Sequence, residues 1–319
     1  MRIKATLLAS VLALSTLLAV PAPAAEPTGL VLTGLQATYS VTVALTAGTS
    51  IQVQNVPADG RAFGQLKDYL SRRRDALAPQ YASATAVVAV TNALPDDPLF
   101  RFARDANVRI VAIDAAVPWS LDRPGVALVD IPRSTLKGGA DTDVAAGTTA
   151  PYFWLSLANV IRMADIVADD LVALFPPSAD AIRRNLDGLK RDLLRQRSAY
   201  QARLAESSGD VVFALTPDFV YLTNDAGLLV DGYFIKQDVS WTKADLAALT
   251  RRLKEGHIKA VLHRWQPSEE IQAAIRAGGA KLVVLDPADP GLVVDDKLDP
   301  EGLQKILKRD LDAVFTALD

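Results

Sequence analysis

Cysteine is absent from this sequence, and histidine occurs only twice, as His257 and His263. Without cysteine the chain has no disulfide framework, no thiolate metal site and no cysteine that could carry an amino-terminal lipid. Zinc sites in proteins are built mostly from cysteine and histidine, so the supply of zinc ligands is small. No Ser-His-Asp set or glycine-rich phosphate loop is present either, and an enzyme is the least favoured class.

An excess of positive charge is also missing. The formal net charge is -3 and the isoelectric point is near 5.5, which gives no electrostatic reason to expect nucleic acid as a partner. The only tight basic run, Arg72 to Arg74, is typical of a solvated helix face. The chain has 319 residues, 50% of them hydrophobic, which is enough for two domains that each bury a core.

The first 25 residues have the pattern of a secretory signal peptide. Arg2 and Lys4 form a basic start, residues 5–20 are apolar, and Ala22-Pro23-Ala24 resembles a cleavage site. A membrane anchor is the alternative, but about 16 apolar residues fall short of the roughly 20 that span a bilayer. We therefore expect residues 1–25 to be removed and the mature protein to be periplasmic, soluble and free of a lipid anchor.

Apolar strands alternate with helices through most of the remaining chain. This alternation favours parallel sheets covered by helices on both faces. The predicted strands are 29–34, 50–57, 85–92, 108–115, 210–215, 227–234, 259–264 and 281–286.

The alternation is interrupted in the middle of the sequence. Residues 134–150 are small and polar and predict a loop, after which a helical pattern runs to Phe175. Pro176-Pro177 kinks or breaks that helix, and a second one of about 27 residues would be roughly 40 Å long. We expect an N-terminal α/β lobe at 26–153, a linker helix at 154–206 and a C-terminal α/β lobe at 207–319. Ligands in such folds bind beyond the carboxyl ends of the strands.

Three segments carry a resemblance to a known family. "PYFWLSLANV", "TPDFVYLTNDAGL" and "GGAKLVVLDP" resemble, in order and spacing, segments of the metal-type solute-binding proteins of ABC importers, which bind zinc or manganese. The resemblance spans nearly the whole mature chain. It implies two α/β lobes joined by one long linker helix, a cation site in the cleft, and an inner-membrane permease with its ATPase as partners.

The metal-binding positions of that family hold other residues here. The resemblance puts Arg61, Tyr152, Thr216 and Asp286 at those positions, and only Asp286 keeps a metal ligand. An arginine, a tyrosine, a threonine and one aspartate make a poor zinc site, and an arginine would repel manganese as well. We therefore expect no metal, no cofactor and four residues that form an altered ligand site.

Each of these residues also has an ordinary structural interpretation. Tyr152 could be a packed aromatic, and Thr216, which precedes a proline, could be a helix cap. Asp286, also before a proline, could be a turn residue, and Arg61 could lie on the surface. The case for a site depends on their convergence in one cleft.

Two functions remain open. In the first, the protein is the periplasmic binding subunit of an importer whose cargo is a small solute or a metal chelate. In the second, an ion pair between Arg61 and Asp286 closes the cleft, and the protein is a partner-binding or sensing module. We expect a monomer in both cases.

The leader can be tested directly. Because the apolar segment is short and ends at Ala22-Pro23-Ala24, N-terminal sequencing of the protein from a periplasmic fraction should begin at Ala25 or Glu26. Retention of Met1 would remove the argument for export.

Overall fold

The computed structural model describes residues 29–120, 122–137, 147–207 and 209–319. The expected leader, residues 1–25, lies outside these ranges, as does the middle of the expected loop 134–150. Within the described ranges, none of the helices has the length and apolar character needed to cross a membrane.

The N-terminal lobe is built on a four-stranded parallel sheet in the order β2-β1-β3-β4. The apolar run of β1 lies in the centre, with Val31 opposite both Val53 and Ala86. The elements of this lobe are β1 Gly29–Thr33, α1 Gln36–Thr46, β2 Ile51–Asn55, α2 Phe63–Arg72, α3 Arg74–Ser83, β3 Ala86–Ala89, α4 Leu99–Ala106 and β4 Val111–Asp114.

Two helices join this lobe to the next. The first, α5, covers Leu157–Leu174 and begins at Ser156, whose hydroxyl accepts a hydrogen bond from the Asn159 backbone amide. A 3₁₀ turn at Pro176–Ser178 follows, because neither proline can donate to the preceding helical turn. The second, α6, covers Ala179–Glu206 and, with 28 residues, is about 42 Å long.

The C-terminal lobe repeats the topology of the first, with a parallel sheet in the order β6-β5-β7-β8. Helix α8 begins with a capping box, in which Thr242 and Asp245 bond reciprocally. The elements are β5 Val211–Ala214, α7 Val220–Ala226, β6 Leu229–Tyr233, α8 Lys243–Glu255, β7 Ala260–His263, α9 Glu269–Ala277, β8 Lys281–Val284, the hairpin β9 Val293–Val294 and β10 Lys297–Leu298, and α10 Gly302–Leu318.

The predicted fold class is confirmed. Each of the eight predicted strands is present in a shorter form, and the two α/β lobes are joined by the long helix. Two details differ. The segment after Arg61, read from the sequence as one helix, forms the two helices α2 and α3, and the small hairpin β9–β10 was not predicted. The domain boundaries expected above stay predictions.

Helix α10 belongs to both lobes. It packs against α1 of the N-terminal lobe and against β7 and β8 of the C-terminal lobe. Its buried Asp310 accepts a hydrogen bond from the backbone amide of Asp286, at 2.7 Å, so the end of β8 is tied to this helix. Burial raises the pKa of Asp310 to about 7, although this hydrogen bond and the neighbouring Arg309 lower it.

This buried carboxyl predicts a pH dependence of stability. Because the folded-state pKa of about 7 exceeds the ordinary value of 3.8, folded Asp310 keeps a proton that the unfolded chain has lost. Stability attributable to this group should therefore fall as pH rises from about 4 to 7, by at most about 1.4 kcal/mol per pH unit. Asp310→Asn should remove that slope, measured by urea unfolding at several pH values.

Asp312 provides the matched control on the same helix. The pKa of Asp312 is lowered, since Lys308, Tyr200 and Arg203 outweigh its burial. Asp312→Asn should therefore leave the slope between pH 5 and 7 unchanged. Equal slopes in the wild type and Asp310→Asn would contradict the assignment.

Candidate functional site

Four chain segments meet where the carboxyl ends of the C-terminal strands face the N-terminal lobe. Residues 216–218 follow β5, residues 264–265 follow β7, and residues 285–289 follow β8. The fourth segment, 150–155, leads into α5. This edge is where open α/β folds bind their ligands, so the polar side chains here define the candidate site.

The guanidinium of Arg264 lies at the centre of the site. Its Nη1 donates to the Tyr152 hydroxyl at 2.8 Å and lies 3.5 Å from Asp218 Oδ2. Its Nη2 lies 3.6 Å from Asp289 Oδ2 and donates to the Asp289 carbonyl at 3.3 Å. Arg264 also lies over the Tyr152 ring, 5.3 Å from its centre. A single cation is thus surrounded by oxygen atoms from three separate segments.

Asp289 connects the two lobes. Its Oδ2 accepts a hydrogen bond from the Tyr152 hydroxyl at 3.3 Å, and its Oδ1 accepts one from the Phe63 backbone amide at 2.7 Å. Phe63 is the first residue of α2 in the N-terminal lobe. The carboxylate is buried, and it therefore joins the arginine of one lobe to a helix start of the other.

Thr216 contacts Asp218, which is one of the residues around Arg264. Helix α7 begins only at Val220, with Phe219 at its N-cap position, so Thr216 does not cap it. The Thr216 hydroxyl instead accepts a weak hydrogen bond, 3.4 Å long, from the Asp218 backbone amide. Thr216 and Asp218 form a short loop beside Arg264.

Tyr152 is held by its aromatic neighbours. Its ring makes an edge contact with Trp154, the centres being 5.6 Å apart. Trp154 in turn donates its indole N–H to the Pro287 carbonyl at 2.9 Å, which fastens the linker segment to the loop after β8. The Tyr152 ring therefore packs, while its hydroxyl faces Arg264 and Asp289.

The ionisation of this group follows from burial and from one shared cation. Burial raises the pKa values of Asp289 and Asp218, and Arg264 opposes the rise at both. Burial also raises the pKa of Tyr152, which stays a neutral phenol. Burial lowers the pKa of Arg264, but Tyr152, Asp218 and Asp289 together raise it by more than burial lowers it. The guanidinium therefore stays charged.

These residues do not fit a zinc ion. Zinc takes a tetrahedral set of nitrogen, sulfur or carboxylate ligands, and the two carboxylates here already face an arginine. Over the described part of the chain, no group of three His, Cys, Asp or Glu side chains could hold a metal ion. His263 ends β7 next to Arg264, but it is buried and its Nε2 lies 3.8 Å from Asp238. In this arrangement a guanidinium supplies the positive charge.

Two of the four predicted site residues, Arg61 and Asp286, form ion pairs outside the group around Arg264. Arg61 pairs with Asp59 at 2.6 Å, and its guanidinium lies over the Tyr69 ring. Asp286 pairs with Arg309 at 3.1 Å and accepts the Ala288 amide at 2.9 Å. The ion pair predicted between Arg61 and Asp286 was therefore wrong, because each side chain is satisfied by a partner close to it in sequence or on α10. Whether any of the four residues binds a ligand stays a prediction.

The three charged residues of the group, Asp218, Arg264 and Asp289, were not predicted from the sequence. A signal for Arg264 was available, since it directly follows strand β7, where the carboxyl-end rule directs attention. Asp218 and Asp289 lie two and three residues from the predicted Thr216 and Asp286. Two predicted segments, those of Thr216 and Asp286, thus reach the group, but a different residue of each contacts Arg264.

A family model matches most of this chain. Residues 65–314 match the family described as the periplasmic zinc-uptake complex component A, ZnuA. The match covers the second half of the N-terminal lobe, the linker helices and nearly all of the C-terminal lobe. The chain belongs to the ZnuA family, which confirms the family predicted from its sequence.

Curated relatives match over a shorter region. The zinc-binding lipoprotein AdcA of Streptococcus pneumoniae is 24% identical over 173 residues, which cover 53% of this chain and 34% of AdcA. The chain thus matches about a third of the length of that relative.

Solved structures share the fold at low sequence identity. The substrate-binding protein FpvC of Pseudomonas aeruginosa, in complex with Mn²⁺, has a TM-score of 0.64 and 20% identity, covering 91% of this chain and 98% of FpvC. The Zn(II)-bound ZnuA-like domain of S. pneumoniae AdcA has a TM-score of 0.65 and 18% identity, covering 91% and 99%. A mutant of the laminin-binding adhesin Lmb from Streptococcus agalactiae has a TM-score of 0.64 and 16% identity, covering 91% and 100%.

The central arginine predicts a specific stability effect. Arg264→Met leaves Asp218 and Asp289 facing each other without a cation, and it should lower the free energy of unfolding by about 2 kcal/mol. This is less than the 3–5 kcal/mol of a fully buried pair, because the Arg264 side chain is 30% exposed and partly screened by solvent. Urea unfolding at pH 7 measures the change.

Arg61→Met is the matched control, since that arginine is 37% exposed but pairs only locally; its effect should stay below about 1 kcal/mol. Lowering the pH from 7 to 5 should restore part of the loss in Arg264→Met, because the raised pKa values of Asp218 and Asp289 let the folded state take up protons first. Equal effects of the two substitutions would rule out a central role for Arg264.

Proposed function

We propose that this protein is the periplasmic solute-binding subunit of an ABC importer whose cargo is not free zinc. The observation that carries the proposal is the Arg264 guanidinium among the oxygens of Tyr152, Asp218 and Asp289. Membership of the ZnuA family supports the binding role and the periplasmic location. The inner-membrane permease and its ATPase would be the partners.

Electrostatic repulsion disfavours free zinc as the cargo. A divalent cation placed among these oxygens would lie within a few ångströms of a guanidinium, and two like charges at such distances repel strongly when water is partly excluded. Displacing Arg264 would leave its charge without the carboxylates that now stabilise it. A solute that contacts the rim of the group leaves Arg264 in place.

Binding is also the chemistry we propose in place of catalysis. The matched family and the solved neighbours are binding proteins. Arg264 is fully charged and Tyr152 stays protonated, so neither is a ready proton acceptor.

A second candidate function has one observation in its favour. Asp289 accepts from Phe63 of the N-terminal lobe while it faces Arg264 of the C-terminal lobe. A cleft closed by this contact would suit a partner-binding or sensing module in which Arg264 takes the part first assigned to Arg61. A monomer is expected for both functions.

The choice of cargo predicts the response to zinc. A tightly bound cation at 100 times its Kd would stabilise the folded state by about 2.7 kcal/mol. We expect no change in Tm in micromolar zinc, measured by differential scanning calorimetry on protein treated with chelator. The zinc-binding domain of AdcA is the positive control. A rise of several degrees that Asp289→Asn abolishes would contradict the proposal.

The importer partnership is tested by affinity capture from solubilised inner membranes of the source organism. The binding-subunit proposal predicts recovery of a permease together with its ATPase. Recovery of a membrane sensor without either would favour the second function.

A further inference from the structure

A pocket of about 610 Å³ lies in the C-terminal lobe next to the arginine site. It is formed by the residues that follow β5, β6 and β7, and Asp218 belongs both to its wall and to the group around Arg264. Its apolar wall includes Leu215, Ile235 and Val239. A volume of this size is typical of a pocket for a small organic molecule.

One wall of the pocket is an indole ring held in a fixed orientation. Trp265 donates its Nε1–H to Asp238 Oδ2 at 3.2 Å, and its ring lies against His263 with the centres 4.2 Å apart. It is nevertheless 46% exposed and lines the pocket. An exposed, oriented indole is a surface on which a ligand can stack.

The carboxylate beside that ring lacks a cationic partner. Across the described ranges, no lysine or arginine lies within ion-pair distance of Asp238, whose contacts are Trp265 and the His263 Nε2 at 3.8 Å. Burial lowers the pKa of His263, although Asp238 raises it, so the imidazole is neutral at pH 7. The negative charge of Asp238 is therefore left uncompensated at the pocket wall.

The other charged residues of the pocket do not offset the negative charge of Asp238. Lys236 lines the pocket, but its amine pairs with Asp245 at 2.7 Å. Asp218 shares Arg264 with Asp289. The remaining charge is that of Asp238, and it complements a cation.

We propose that this pocket binds an organic cation, an amine or ammonium group on an apolar body, with the charge at Asp238 and the body against Trp265. An ammonium group over an indole face gains about 0.5–2 kcal/mol from the ring alone, and a carboxylate at the same end adds a charge-assisted hydrogen bond. The inference rests on the proposed binding-subunit role and names the class of its cargo.

The test compares three probes of similar size and different charge. Phenethylamine is the cation, 2-phenylethanol the neutral analogue and phenylacetate the anion, and binding to the full mature protein at pH 7 is measured by saturation-transfer NMR titration. We expect phenethylamine to bind at least tenfold more tightly than the other two. Asp238→Asn, which keeps an oxygen acceptor for Trp265, should weaken phenethylamine by at least fivefold and leave 2-phenylethanol unchanged.

Matched variants guard against effects of misfolding. Trp265→Ala should weaken all three probes, whereas Trp119→Ala, at a similarly exposed tryptophan (44% exposed), should not. Val239 is 92% exposed, so Val239→Lys should fold normally and weaken only the cation, with Val108→Lys (75% exposed, in the other lobe) as its control. Equal affinity for the three probes, or phenethylamine binding that survives both Asp238→Asn and Val239→Lys, would overturn the proposal.

The two proposals can fail separately. If phenethylamine does not bind but the permease and ATPase are captured, the pocket assignment is wrong and the binding-subunit role stands. If it binds as expected and no permease is captured, the pocket assignment stands and the importer role is wrong.

Discussion

The constraint on which the site depends is the cost of placing a charged group between two lobes with little water. Arg264 satisfies it by sharing one guanidinium among Tyr152, Asp218 and Asp289, since the two mostly buried carboxylates would be costly without a cation. Asp289 extends these contacts across the cleft, because its second oxygen accepts a hydrogen bond from the Phe63 amide. The relative position of the two lobes is thereby linked to the ionisation of a few groups.

The same arrangement bears on the zinc chemistry named in the description of its family. The neighbouring structures are those of a Zn(II)-bound AdcA domain and of FpvC with Mn²⁺, whereas here a guanidinium has oxygen partners where the strand ends of the C-terminal lobe face the N-terminal lobe. A guanidinium is bound to its own backbone and cannot leave as cargo. The positive charge is thus a fixed part of the protein, and in the function we propose a solute binds beside it. The pocket walled by Trp265 and Asp238 adjoins that group through Asp218.

The two lobes have the same strand order, and their similarity explains why the site is assembled from strand ends. In each lobe the four strands are parallel, so the loops that follow them collect along one edge of the sheet. Helix α6 and helix α10 hold the lobes together, and α10 packs on both. The loops are then positioned by rigid elements, which lets a small number of side chains define the chemistry of the cleft.

Much of this protein was determined by the sequence alone. The alternation of apolar strands and helices, the prolines at 176–177 and the long amphipathic run predicted two α/β lobes and a linker helix, because these features depend on local periodicity. The segments around Tyr152 and Thr216 were also identified, through their resemblance to segments of a known family. Only the tertiary structure decided which side chain in each segment enters the cleft. Asp286 turns toward Arg309 on α10 while Asp289 turns inward, and this choice depends on partners more than twenty residues away, beyond the reach of any local pattern.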